Sequence, residues 1–315
     1  MPKVVINCTD LTTAIDFYTE SLGFRLETIM PADSPRTAIL SGFGIKVSLL
    51  QEESKPEVLA DVPLEHLRLA VTQIDEGDFK EGRAQMRYRD LVPDRFGGRL
   101  IASHIRIPNG GPVPDHVHHH NIFFQMIFCI NGWVKVVYED QGGAFIIKSG
   151  DCLLQPPHIR HQVLECSDMM EVVEIACPAE HETSIDHEIR LPTERFLPNR
   201  EFGGQKFLFH KAKHASWVSS DCHSFEYCDT GIAEATRGKA AAVVIRNSGK
   251  SDNIRVPSLT GIRFFFVLNG TTNFTSQRQY QLSAGDSCTM PPGHKGMWSY
   301  MSDNFEYLAV TVFRQ

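Results

Sequence analysis

The sequence predicts a mainly β chain in which two tandem jelly-roll barrels follow a small βαβββ module. Three observations carry that expectation. Turn-bounded phrases recur in the same order at nearly constant offsets, short alternating strands fill the text after residue 89, and the first fifty residues pass from strand to helix to three strands. Length agrees, because 315 residues exceed the ~250–300 at which a single core stops growing. With 42% hydrophobic and 22% charged residues, composition is that of a globular protein and excludes disorder, collagen and coiled coil.

Lys3 to Asn7 reads as a β-branched strand. Asp10 then caps a helix from Leu11 to about Leu22, with Ala14, Phe17, Tyr18 and Leu22 at helical spacing and Gly23 ending it. Phe24 to Ile29, Arg36 to Leu40 and Gly44 to Gln51 follow as strands. The phrase Asp10-Leu11-x4-Asp16-Phe17-Tyr18-x3-Leu22-Gly23-Phe24 resembles the opening of glyoxalase and bleomycin-resistance modules, the vicinal oxygen chelate family, over roughly residues 3 to 52. That family builds its metal site from two such modules and commonly places a His seven residues before the Asp. Here there is one module, residues 1–55, and Lys3 holds the position. Docking, dimerisation or capping is expected of it, not metal chemistry. Residues 56–88 read as a charged, Pro-punctuated connector with a weak apolar rhythm in Leu59, Val62, Leu64, Leu67 and Leu69 that can be partly stranded.

The repeat then begins. Pro93-Asp94-Arg95-Phe96-Gly97-Gly98 returns as Pro198-Asn199-Arg200-Glu201-Phe202-Gly203-Gly204, Phe128-Cys129-Ile130-Asn131-Gly132 as Phe266-Val267-Leu268-Asn269-Gly270, and Gly150-Asp151-x4-Pro156-Pro157 as Gly285-Asp286-x4-Pro291-Pro292. Two copies of one all-β unit are expected, residues 89–195 and 196–315, each burying its edges by closing into a barrel.

Nine of the fourteen histidines lie between His104 and His187, four of them in His116-Val117-His118-His119-His120. On a strand His116, His118 and His120 share a face, and two imidazoles about 7 Å apart along it can reach one ion. The third ligand must come from another strand, and His161, after Pro156-Pro157-His158, is the candidate. His119 should face outward. Phe123, Phe124, Met126 and Phe128 fall on both faces of one strand, so some are expected to line the lumen; Cys129 and Cys152 are expected to be packing residues. His104 and Arg106 share a face. His104 recurs as His210 at the offset of the first phrase and is expected to be structural, whereas Arg106 is a candidate anion-binding group.

The patterns His118-x-His120-x4-Gln125-x6-Gly132 and Gly150-x5-Pro156-x4-His161 resemble the two signature motifs of the cupin superfamily, and with the repeat the chain resembles a bicupin over residues 89–315. The resemblance implies double-stranded β-helix barrels, with His118, His120 and His161 as metal ligands and Gln125 where a Glu ligand is usual. His158 stands where the second motif usually carries Gly. In the second copy the ligand positions fall on Val256, Ser258, Arg263 and Gly296, so no metal is expected there.

Three imidazoles suit a divalent transition ion, Fe(II) first, with Zn, Ni, Cu or Mn behind it. With Gln125 in place of a carboxylate the ion should keep about two positive charges and attract a small anionic chelating substrate. Two chemistries follow: a mononuclear Fe(II)-type dioxygenase, or a redox-neutral isomerase, decarboxylase, hydrolase or cyclase whose base is His116 or His158. The third reading is a non-enzymatic small-ligand binder. Gln125, His116 and Arg106 are the candidate catalytic residues. Net charge −7 gives no basic footprint for nucleic acid or anionic membrane. The longest apolar runs, such as Ile122 to Ile130, are half a membrane span, the opening lacks signal-peptide layout, and eight scattered cysteines without a C-x-x-C pair suit reduced thiols. A cytoplasmic homodimer is the expectation.

Overall fold

The first strand, Lys3–Cys8, lies parallel to Ile45–Gln51, and the sheet continues antiparallel through Thr37–Gly42 and Arg25–Met30. Asp10 caps the helix Leu11–Asp16 by accepting from the Thr13 N–H at 3.2 Å, and a π-helical turn over Phe17–Ser21 completes the stretch before Gly23. The βαβββ order is as the sequence predicts. The computed structural model describes residues 1–52, 62–82, 86–220, 225–249 and 253–313. Leu59 therefore lies outside the described residues. Among them no helix is long and apolar enough to cross a membrane, and every cysteine is a free thiol.

The rest of the chain forms two jelly-roll barrels. In the first, a sheet containing His118–His120, His161–Cys166, Trp133–Tyr138 and Phe145–Lys148 covers a second sheet containing Phe124–Asn131, Met170–Cys177 and Ile101–Ile107. In the second barrel, Asn253–Val256, Gly296–Ser299, Thr271–Thr275 and Gln279–Ser283 cover Ser287–Met290, Ile262–Asn269, Glu306–Val312 and Ala240–Asn247. The Asn-Gly turns work as the sequence requires. Gly132 has φ +72° and Gly270 φ +77°, and a Cβ at either would collide with the Ser167 or Ser302 hydroxyl that accepts from the next residue's N–H.

The barrels pack through their second sheets. Phe124, Met126 and Phe128 meet Ile262, Phe264 and Phe266 in one buried cluster, with Val173, Ile175, Leu308 and Val310 beside them. This corrects the expectation that some of these aromatics line the lumen. The strand is buried on both faces, and alternation sends its bulky residues to the inter-barrel core and Gln125 and Ile127 inward. Truncating Phe264 to alanine should cost about 3–5 kcal/mol.

The connector is also corrected. Ala70–Thr72 is an edge strand of the second barrel, paired with Ser287–Thr289, and Leu208–His210 is an edge strand of the first, paired with Cys152–Leu154. A strand of the connector thus completes the second barrel, and a strand of the second repeat completes the first. Arg87–Asp90 belongs to the first barrel's sheet and pairs with Lys80–Glu81, so that sheet begins before residue 89. The phrases at Pro93 and Pro198 are not equivalent: Arg95–Gly98 is a tight turn at left-handed φ, and Glu201–Phe202 begins a hairpin. By strand order the counterpart of His104 lies in Ala240–Asn247, not at His210.

His104 is structural. Its Nε2 stands 2.6 Å from Glu171 Oε2, and Phe79 and Phe266 flank its ring. Burial, the largest cause, pulls its pKa below the ordinary 6.5, against the opposing pull of Glu171. The unfolded chain therefore takes up its proton first. Stability is expected to fall as pH drops from 6.5 through the lower folded value, and His104→Gln should flatten that slope in pH-dependent denaturant melts.

Candidate metal centre

His118 and His161 are direct antiparallel partners, so two ligands from distant sequence face each other across one strand pair. His120 follows two residues on, on the same face. The turn before His161 is fixed by His158, which takes the left-handed φ of +64° and donates its backbone N–H to His120 O at 2.9 Å. A Gly would hold that conformation without strain. Ring centroids lie 4.2 Å apart for His118 and His161, 5.2 Å for His118 and His120, and 5.3 Å for His120 and His161. One donor nitrogen of each lies within 4.8 Å of the other two, and all three residues are buried.

The partners behind the rings select the donor atom. His118 Nδ1 is 2.7 Å from the His116 carbonyl, and His161 Nδ1 is 3.0 Å from the Ile159 carbonyl. A carbonyl only accepts, so both Nδ1 atoms carry protons and the Nε2 atoms are the ones able to ligate an ion. His120 Nδ1 meets Thr183 Oγ1 at 3.2 Å. Asp115 Oδ1 stands 3.6 Å from His118 Nδ1, and its Oδ2 accepts from the Val163 N–H at 2.9 Å. Tyr138 stacks on His161 at 5.3 Å and 14°. Burial, reinforced by Glu174 and Asp115, pushes its phenol far up, so it stays protonated.

Gln125 comes from the facing sheet. It is 1% exposed, and its Oε1 is buried with no hydrogen-bond partner among the described residues. A buried amide oxygen left so costs about 1–3 kcal/mol unless an ion or ligand meets it. Three Nε2 donors, a carboxylate behind one of them and an orphaned amide oxygen across the lumen fit a divalent transition ion.

These groups open on a cavity of about 90 Å³ walled by Ile101, Ile105, Ile127, Val134, Val136 and Val172. That is well below the ~300–1,000 Å³ of drug-sized pockets, so only a small ligand fits. Glu174, Gln155 and His181 add polar groups. Glu174 lies opposite Ile127, one pleat repeat from the Gln125 and Ala176 row. Sequence reading missed it and Asp115. It also corrects the charge argument, because carboxylates in and behind the cavity offset part of the ion's charge.

The structure does not bring His116 or Arg106 into this cavity. The His116 ring is exposed and only its carbonyl serves the site. Arg106 is bonded to Glu76 at 2.6 Å, paired with Glu171 at 3.3 Å and laid over Phe79. His158 is exposed, and His119 faces outward in a groove with Asp186 and His187. Cys129 and Cys152 are fully buried, their thiols pushed up to about 12 by burial, which makes them inert.

In the second barrel Val256 and Gly296 are direct partners, as His118 and His161 are in the first. Arg263, 2% exposed, donates to the Pro257 and His294 carbonyls, and Phe265, Phe274, Trp298 and Tyr307 fill the interior. A guanidinium ties together the segments flanking those two strands where the first barrel has its three histidines. Arg263→Ala should leave two carbonyls without donors and lower stability by about 3–5 kcal/mol in denaturant melts, with metal content unchanged.

A family model described as the Glyoxalase/Bleomycin resistance protein/Dioxygenase superfamily matches residues 1–175. The match runs beyond the βαβββ module into the first barrel. No curated protein sequence matches. Among solved structures, the YlbA protein of E. coli is similar at 12% identity and a TM-score of 0.55, over 79% of this chain and 93% of that one. Oxalate decarboxylase from Bacillus subtilis is similar at 11% identity and a TM-score of 0.52, over 79% and 75%. A second structure of that decarboxylase, concerned with its Mn(II) centres, gives 13%, 0.56, 82% and 81%. At these identities the likeness is one of fold, and it covers the tandem jelly-roll barrels.

Proposed function

The chain belongs to the Glyoxalase/Bleomycin resistance protein/Dioxygenase superfamily, and from that premise we propose a metal-dependent bicupin enzyme, a mononuclear non-haem Fe(II)-type dioxygenase acting on a small anionic chelating substrate. The observation that carries the reading is the convergence of His118, His120 and His161 in a small apolar cavity, with Gln125 Oε1 unpartnered opposite them. A bound Fe(II) would supply adjacent open positions for substrate and O2. The chain does the rest. The Nδ1 bonds to the His116 and Ile159 carbonyls hold the rings in the ligating tautomer. Isoleucine and valine walls exclude water and limit substrate size, and Tyr138 offers a phenol proton at a fixed place beside His161. Oxygen uptake by the Fe(II)-loaded protein with small diketones, phenolic acids or thiols tests this; uptake should vanish in His161→Ala. No uptake with any of them would count against it.

One observation favours a second reading. Glu174 places a carboxylate in the cavity, one pleat from the Gln125 row, where it can accept or return a proton. Together with the fold shared with an Mn(II) decarboxylase, this supports redox-neutral chemistry such as decarboxylation of a small acid. Anaerobic turnover of small 2-oxo or dicarboxylic acids by the Mn(II)-loaded protein, reduced about 10²–10⁴-fold in Glu174→Gln, would select it.

A further inference from the structure

We propose that the N-terminal module is the selectivity gate of the metal chamber: its segment from Pro31 to Arg36 partitions that chamber from an outer polar vestibule and sets the size of what reaches the centre. The inference rests on reading the three histidines as a metal centre. The module is built into the ligand sheet itself, since Arg25–Met30 pairs with Thr183–Ile185, which pairs in turn with His118–His120. Leaving that strand, the chain lays Pro31, Ala32 and Asp33 against the cavity that the ligands line.

A second cavity of about 470 Å³ lies on the other side of the same segment. Its walls carry Arg36, Lys80 and Arg95 with Asp78, Asp90 and Asp94. Asp33, Tyr88 and Ser103 line both spaces, so the boundary between them is a side chain of the module facing two of the barrel. A ligand passing from the vestibule to the centre must pass this boundary, charged on one side and apolar on the other.

Two ion pairs hold the segment down. Arg95 Nη2 meets Asp33 Oδ2 at 2.9 Å, and Arg36 pairs with Glu180. Glu180 precedes His181, whose ring lies 5.4 Å from that of His120, so the second latch grips beside the ligand set. The side chains of both pairs are mostly buried, 10–26% exposed, so they fix the closed position of the segment, and both must part for the gate to open.

The test uses the full chain loaded with Co(II), with release to EDTA followed optically. Asp33→Ala/Arg36→Ala should release the metal at least about tenfold faster than wild type, the effect of losing two mostly buried ion pairs. Ala32→Trp, which fills the boundary, should slow release by a similar factor. General destabilisation speeds release and cannot slow it, so the second variant separates gating from unfolding. If all three proteins take up one Co(II) per chain and release it at equal rates, the gate is refuted and the metal centre stands. If wild type takes up none, both fall.

Discussion

Replacing His161 with alanine is expected to lower bound metal from about one ion per chain to less than a tenth of that after dialysis, because two strand-adjacent imidazoles alone do not hold a first-row ion. The loss should be specific. His161 is buried, stacked on Tyr138 and opposite His118, and its removal takes away the only ligand supplied by the second motif. Since binding to the folded chain alone adds stability by mass action, the wild type should melt higher with added Fe(II) or Mn(II), by about 3–4 kcal/mol at 100–1,000 times Kd. His161→Ala should show no such shift. Metal analysis and calorimetry on the two proteins check both statements.

The second large effect is expected at Asp115. Its carboxylate stands 3.6 Å behind His118 Nδ1 and accepts the Val163 N–H, tying a ligand's far side to the neighbouring strand. Groups in that position typically sustain 10–100-fold in metal affinity. Asp115→Ala should weaken binding by that amount while leaving one ion per chain at saturating metal, and Asp115→Asn should recover part of it through the retained hydrogen bond. Competition titration against a chromophoric chelator reads the difference. An affinity equal to wild type would mean that the His116 carbonyl alone orients His118.

The ligand set was legible because strands have period two and because the motif spacing carries the third imidazole across a turn. His118 opposite His161 and Val256 opposite Gly296 are the same register in two copies, one with ligands and one without. The offsets of 138 and 135 residues mark true equivalence, whereas the Phe-Gly-Gly phrase at 106 reflected turn chemistry that recurs wherever a tight bend is needed. Asp115 and Glu174 were hidden for a different reason. A lone acid in strand text reads as a solvated face, and only the knowledge that Met170–Cys177 is buried on both sides turns Glu174 into a lumen residue and Glu171 into the partner of His104 and Arg106. The expectation for Arg106 gave way because nothing in its own strand names Glu76, which comes from the segment read as a connector. The placing of these two edge strands was likewise beyond local pattern, since Ala70–Thr72 and Leu208–His210 find their partners over a hundred residues away or across a repeat boundary.

X-ray absorption at the metal edge of the reconstituted protein addresses the central claim most directly. The account predicts a single ion per chain, with imidazole scattering from three nitrogens at about 2.1 Å, no sulfur neighbours, and loss of the signal in His118→Ala. A second ion per chain, a thiolate shell, or an imidazole signal that survives in His118→Ala would contradict it.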